Sequence, residues 1–311
     1  MNFGRTYRSP RPDGLRARGC RTSELRRRRY RPALACVSKR RDGLTGGAKS
    51  AGRRWASMKS RWPSRLWIVR HGESAGNVAR DLAHASGLGR IDIAERDVDV
   101  PLSDLGKLQA QALGRWFAAR PPDERPEVVL TSPYLRAVQT ADLVRGTGGL
   151  ASSAVPHCVD ERLREREFGI LDRLTSHGIR EHFPEQAAFR AAMGKFYHRP
   201  PGGESWCDVI LRLRSALDTL SLHHAERRVM IVGHQVVVLC LRYLLENLSE
   251  AEILAIDAEG DVANCGVTDY CFDPAEGPDG ALRLQAYNFV SPLKEAGAPV
   301  TSAPDAPVAA R

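Results

Sequence analysis

The sequence has no run of 18 apolar residues, so nothing in it reads as a membrane-crossing helix. It has no C-x-x-C pair. Its seven cysteines, Cys20, Cys36, Cys158, Cys207, Cys240, Cys265 and Cys271, are odd in number and irregular in spacing. That argues against a disulfide framework or a zinc site and leaves scattered reduced thiols. The N-terminus lacks the apolar stretch of a secretory signal. His157, His177, His182 and His198 show no metal-ligand spacing, so no metal site is expected. Residues 43–50 (GLTGGAKS) come close to a phosphate-binding P-loop, but Ala48 stands where that loop needs glycine and no strand precedes it. These absences leave a soluble, cytoplasmic chain with no metal, no cofactor and no membrane contact as the expectation.

What is present divides unevenly. The 311 residues carry a formal net charge of +9. Residues 1–57 hold 15 Arg and 2 Lys against three acids, a net of +14, so the remainder stands at −5. The basic character belongs to one end, so charge gives no support to a nucleic-acid partner for the whole protein. That end contains the run Arg26-Arg27-Arg28-Arg29 and little apolar periodicity. Too little apolar surface is available there to offset the entropy of ordering. A disordered extension, or an over-extended start with initiation at Met58, is the favoured reading. A targeting peptide and a nucleic-acid-binding arm remain open. The expected organisation is a basic extension over 1–61, a folded domain over 62–292 and a loose Ala/Pro-rich tail over 293–311.

From Leu66 onward, short apolar runs alternate with amphipathic stretches. Strands are expected at Leu66–Val69, Val128–Leu130, Val155–Val159, Val229–Val232, Val267–Phe272 and Leu282–Phe289. Helices are expected at Ser103–Ala119, Pro133–Arg145, Ser205–His223 and Gln235–Glu246. Ser103 suits a cap, and Pro133 suits a first turn. The alternation implies an α/β fold, a three-layer α/β/α sandwich on a mainly parallel sheet. Residues 81–101 and 170–202 lack clean periodicity and read as excursions, the second a small helical cap over the site. Phe183, Phe189, Phe196 and Tyr197 either line a lid there or anchor it.

Three expected strands end in polar sequences: Arg70-His71-Gly72-Glu73-Ser74, then Thr131-Ser132-Pro133 leading to Arg136, and Gly233-His234-Gln235. In open α/β sheets ligands bind beyond the carboxyl ends of strands. Guanidinium groups are forked, permanently charged partners for phosphate oxygens, and helix N-termini add N–H donors. Like charge from arginines favours a neutral imidazole, which can act as a nucleophile. Transferring a phosphoryl group requires cations around it, and two arginines with a second, protonated histidine supply them.

Arg70-His71-Gly72-Glu73-Ser74 with Asn77 resembles the opening motif of the histidine phosphatase superfamily, in its phosphoglycerate mutase-like branch. Leu102-Ser103-x-x-Gly106, Thr131-Ser132-Pro133-x-x-Arg136-Ala137-x-x-Thr140-Ala141, Arg162-Leu163-Arg164-Glu165-x-x-Phe168-Gly169, Gly202-Gly203-Glu204-Ser205 and Val232-Gly233-His234 resemble later motifs of that family, in order, across roughly residues 65–290. The resemblance implies that His71 is the phosphorylated nucleophile and that Arg70, Arg136 and His234 hold the phosphate. Asn77 and Gln235 would add hydrogen bonds. Glu165 would be the acid, although Glu161, Glu167 and Asp172 offer other carboxylates nearby. Glu73 and Glu204 read as orienting residues, and His223-His224 as a solvated helix end. The substrate expected is a small phosphorylated metabolite, and a homodimer is open.

Relatives of mutase type carry a longer basic segment before Gly-Glu-Ser than Arg190–Pro201 provides here, which favours a phosphatase. Phosphoglycerate mutase-type transfer and a non-catalytic phospho-ligand-binding domain remain alternatives. The sequence Ile170-Leu171-Asp172-Arg173 departs from the Trp-Glu-Gly turn of many relatives, so the leaving-group pocket is not transferable from them.

Overall fold

In the computed structural model, residues 60–152 and 154–302 are described. The Arg-rich extension up to residue 59, with the P-loop-like stretch, lies outside them. Six strands form one sheet: β1 (Arg65–Arg70), β2 (Val128–Thr131), β3 (His157–Val159), β4 (Arg228–Gly233), β5 (Val267–Asp273) and β6 (Ala281–Phe289). The helices are α1 (Ala75–Ala85), α2 (Asp104–Ala118), α3 (Leu135–Thr147), α4 (Ser176–His182), α5 (Pro184–Tyr197), α6 (Trp206–His223), α7 (Gln235–Leu245), α8 (Glu250–Glu259) and α9 (Ser291–Glu295).

The strand order is β3-β2-β4-β1-β5-β6. The first four strands are parallel, and β5 and β6 continue the sheet by antiparallel pairing. Side chains alternate across the strands as their period of two requires. Leu66 and Ile68 of β1 join one core with residues of α6, α7 and α8. Trp67 and Val69, one residue out of phase, join the other with α2, α3 and α9. The result is the three-layer sandwich, with the excursion α4–α5 inserted before α6. Leu171, Leu174 and Ile179 give the excursion a small core of its own. Phe196 is an anchor of the cap, buried against Trp206, while Phe189 and Tyr197 stay half exposed.

Several expectations need correction. Pro133 is not in the first turn of α3. Tyr134 is the N-cap residue, and its N–H is accepted by the Ser132 hydroxyl at 3.2 Å, which delays the helix. Helix α1 falls where no helix is expected, because its capping box uses Asn77 in place of the usual Glu or Gln. Helix α8 is also additional, opened by the capping box of Ser249 and Glu252. The tail is not loose from residue 293. Leu293 is fully buried and Ala298 packs beside it. The Gln109 amide donates to the Pro299 carbonyl and to the Thr301 hydroxyl, each at 3.0 Å. The Asn264 N–H donates to the Thr301 carbonyl at 2.8 Å. Folded structure therefore continues beyond 292 to residue 301.

Candidate active site

Strands β2, β4 and β1 are adjacent and parallel, so their carboxyl ends open on one edge of the sheet. The ladder continues one step past each strand end. The His71 N–H donates to the Gly233 carbonyl at 2.9 Å, and the Ser132 N–H to the Val232 carbonyl at 3.0 Å. That register delivers His71, Ser132 and His234 to one place, although more than 160 positions separate the outer two.

The loop after β1 lies directly on the first turn of α2. A Cβ on Gly72 would stand 2.5 Å from the Gly106 carbonyl oxygen, and one on Gly106 would stand 1.9 Å from the Glu73 carbonyl oxygen. Main chain packs on main chain here, and only glycine permits it. Glu73 is a strut, not a phosphate ligand, since its carboxylate accepts from the Ser103 hydroxyl at 2.7 Å.

His71 is fully buried. Its Nδ1 lies 2.6 Å from the Gly72 carbonyl. A carbonyl only accepts, so Nδ1 carries the proton and Nε2 presents a lone pair. The Nε–H of Arg136 points at that lone pair from 3.2 Å. The His234 ring stands edge-on to His71 with centroids 5.1 Å apart. Its Nε2 lies 2.8 Å from the Ser132 hydroxyl, and its Nδ1 faces Glu165 Oε2 at 4.0 Å.

Glu165 is 1 % exposed. Its other carboxylate oxygen accepts from the Arg166 N–H at 2.8 Å. The backbone beneath it is propped by Arg212, which donates to the Arg162 carbonyl at 2.6 Å and to the Glu165 carbonyl at 3.2 Å. Arg212 is held in turn by two bonds of 2.9 Å to Glu204, which also receives Arg164 at 2.7 Å. Burial, then the charge of Arg190, lowers the Arg166 guanidinium to about 10.

The structure thus gathers His71, Arg136, His234 and Glu165. The other candidates border that group. Arg70 is buried, and its Nη1 donates to the Val262 carbonyl. The Asn77 amide oxygen accepts from the Ser74 N–H at 2.9 Å and the Ser74 hydroxyl at 3.0 Å, which makes it part of the α1 cap. The Gln235 amide donates to Asp261 at 2.8 Å. Two contributors escape sequence reasoning. Asn264 donates to the His71 carbonyl at 3.2 Å and is fully buried; as a lone loop residue it carries no pattern. Tyr134 lies 5.1 Å from the His234 ring and 4.9 Å from the Arg136 guanidinium, and its hydroxyl donates to Glu167 at 2.8 Å. It occupies an unspecified position of the Thr-Ser-Pro-x-x-Arg motif. Burial, then the bond to Glu167, pushes its phenol well above the usual range. Among the described residues no group of three His, Cys, Asp or Glu side chains could hold a metal ion, and no helix is long and apolar enough to cross a membrane.

A family model for the histidine phosphatase superfamily (branch 1) matches residues 66–278, more than half of the chain. The chain belongs to the histidine phosphatase superfamily. Within that superfamily it is similar to the 6-phosphofructo-2-kinase/fructose-2,6-bisphosphatase of Aquarana catesbeiana, 32 % identical over 190 residues, covering 60 % of this chain and 34 % of the relative. The chain therefore spans about a third of the length of the curated relatives it matches. Among solved structures, a mycobacterial glucosyl-3-phosphoglycerate phosphatase in complex with inorganic phosphate is 25 % identical, with a TM-score of 0.55 over 74 % of this chain and 99 % of that one. The YhfR protein of Bacillus stearothermophilus is 27 % identical, with a TM-score of 0.56 over 74 % and 98 %. The names of the Aquarana catesbeiana relative and of the mycobacterial structure each include a phosphatase activity.

Proposed function

We propose that the protein hydrolyses the phosphate monoester of a small, sugar-derived metabolite in two steps through phosphohistidine on His71. The observation that carries this reading is the His71 tautomer, with Nδ1–H fixed on the Gly72 carbonyl and Nε2 turned toward Arg136. In the first step the Nε2 lone pair attacks phosphorus. The P–O bond to the leaving group breaks, and the Glu165 carboxyl gives that oxygen its proton. In the second step water attacks phosphohistidine, the P–N bond breaks, and the Glu165 carboxylate takes the proton from water. Arg136, His234 and Arg70 neutralise the phosphoryl oxygens throughout. The His234 ring is oriented by its hydrogen bond with the Ser132 hydroxyl at 2.8 Å.

The substrate class follows from two supports. The relatives are named for fructose 2,6-bisphosphate and glucosyl-3-phosphoglycerate, each a sugar-derived phosphate with a second anionic group. On α5 of the cap Arg190 adds a basic side chain, and Lys195 a second that is paired with Asp257. The test is a phosphatase screen over a metabolite panel with a chelator present and the His71→Ala protein as blank. Turnover that needs no added metal and vanishes in His71→Ala is expected. Full turnover in that variant would end the assignment.

A further inference from the structure

We propose that Asp97 is a positioning residue for Arg136, holding the outer edge of its guanidinium so that the inner edge faces the phosphoryl group beside His71. This rests on the reading of His71 and Arg136 given above. A guanidinium is a planar fork whose N–H directions are fixed relative to one another. Aiming one edge therefore aims the other. Asp97 holds the outer edge: Nη1 donates to its main-chain carbonyl at 2.6 Å and to Oδ1 at 3.0 Å, and Nη2 donates to Oδ2 at 3.3 Å. The Nε–H then points at His71 Nε2, 3.2 Å away, and by the planar geometry the nearer Nη2 proton points the same way.

Asp97 is about a third exposed, but it is not a loose surface acid. It opens a single 3₁₀ turn in a segment strapped to the stretch after Glu165. The Ile91 N–H donates to the Arg173 carbonyl at 2.8 Å, and the Thr175 N–H to the Gly89 carbonyl at 3.0 Å. The Arg173 side chain reaches the carbonyls of Ile93 at 3.0 Å and Glu95 at 2.6 Å. At the other end of the Arg136 side chain, Thr140 ties the helix to the nucleophile loop. Its hydroxyl donates to the Arg136 carbonyl at 2.7 Å and accepts from the Gly72 N–H at 3.0 Å. The backbone end of Arg136 is thus fixed by Thr140 and the guanidinium end by Asp97.

Removing the carboxylate has two consequences of opposite sign. The pocket becomes more positive, so a free anion binds at least as well. The fork loses its aim, so the transition state is served less well. Loss of alignment near a reacting atom costs on the order of 100-fold for a displacement of about 1 Å. A merely structural role would instead weaken anion binding and turnover together.

The experiment is a cycle of Asp97→Ala, Arg136→Ala and the double variant, with p-nitrophenyl phosphate as substrate and inorganic phosphate as competing ligand. Asp97→Ala is expected to lower kcat by roughly 10- to 100-fold, to leave the phosphate inhibition constant unchanged or lower it, and to cost little more in the Arg136→Ala background. Asp97→Asn, which keeps one acceptor oxygen, should recover part of kcat. Wild-type kcat in Asp97→Ala, a phosphate inhibition constant that rises as kcat falls, or equal losses in both backgrounds would overturn the proposal. Wild-type turnover in Arg136→Ala would instead sink the phosphate-site reading beneath it.

Discussion

At the scale of single residues, the proposed mechanism divides the site into groups that react and groups that hold them. His71 presents a lone pair only because Nδ1 is committed to the Gly72 carbonyl. Glu165 has one oxygen tied to the Arg166 N–H and the other toward His234. A carboxyl in that place is suited to proton transfer, and its contribution depends on how much help the departing oxygen needs. Glu165→Gln should therefore slow hydrolysis of alkyl phosphates by roughly 10²- to 10⁴-fold and spare nitrophenyl phosphate, whose leaving group departs unprotonated. Steady-state rates over a series of leaving groups check this; equal losses across the series would contradict the acid role.

At the scale of elements, the segment that carries Glu165, the proposed acid, depends on the start of α6. Glu204, just before the Ser205 cap, links Arg164 and Arg212, and Arg212 supports the carbonyls of Arg162 and Glu165. The Arg212–Glu204 side chains are 10 % and 11 % exposed. Breaking such a pair costs about 3–5 kcal/mol, because it strands one charge. Burial alone would raise the Glu204 carboxyl, but hydrogen bonds from Arg212, with the charges of Arg212 and Arg164, hold it below the usual range. A depressed carboxyl stabilises the fold fully above its unfolded value, about 4.3, and loses that contribution as pH falls through its folded value. Thermal midpoints measured from neutral to acid pH should fall less steeply for Glu204→Gln than for the wild type. Identical slopes would remove Glu204 from the acid response.

At the scale of the whole molecule, helices α1 and α8 and the segment from 293 to 301 were not legible from local pattern. The strands β1, β2 and β4 were, because each is a compact apolar run ending in an unusual polar motif, and with them came His71, Arg136 and His234. Helix α1 was not, since Asn77 served the cap while the resemblance pointed to phosphate. The contributions of Tyr134 and Asn264 depend on contacts between distant segments, which no local period encodes. The segment from 293 to 301 reads as a tail by composition, yet Leu293 sits fully buried in the core beside α2. Leu293→Ala should cost about 2–5 kcal/mol of stability, measured by denaturant unfolding, whereas a loose tail would show no change.

The proposed function rests at every scale on the lone pair of His71 Nε2 as the acceptor of the phosphoryl group. Acid-denaturing quench strips phosphohistidine, so the direct measurement is a rapid quench in alkaline denaturant with ³²P-labelled substrate, followed by peptide mapping. Label on the peptide containing His71, stable in base, released in acid and absent from His71→Ala, is the expected result. Turnover with no labelled protein under conditions that slow the second step, or an acid-stable adduct on another residue, would contradict it.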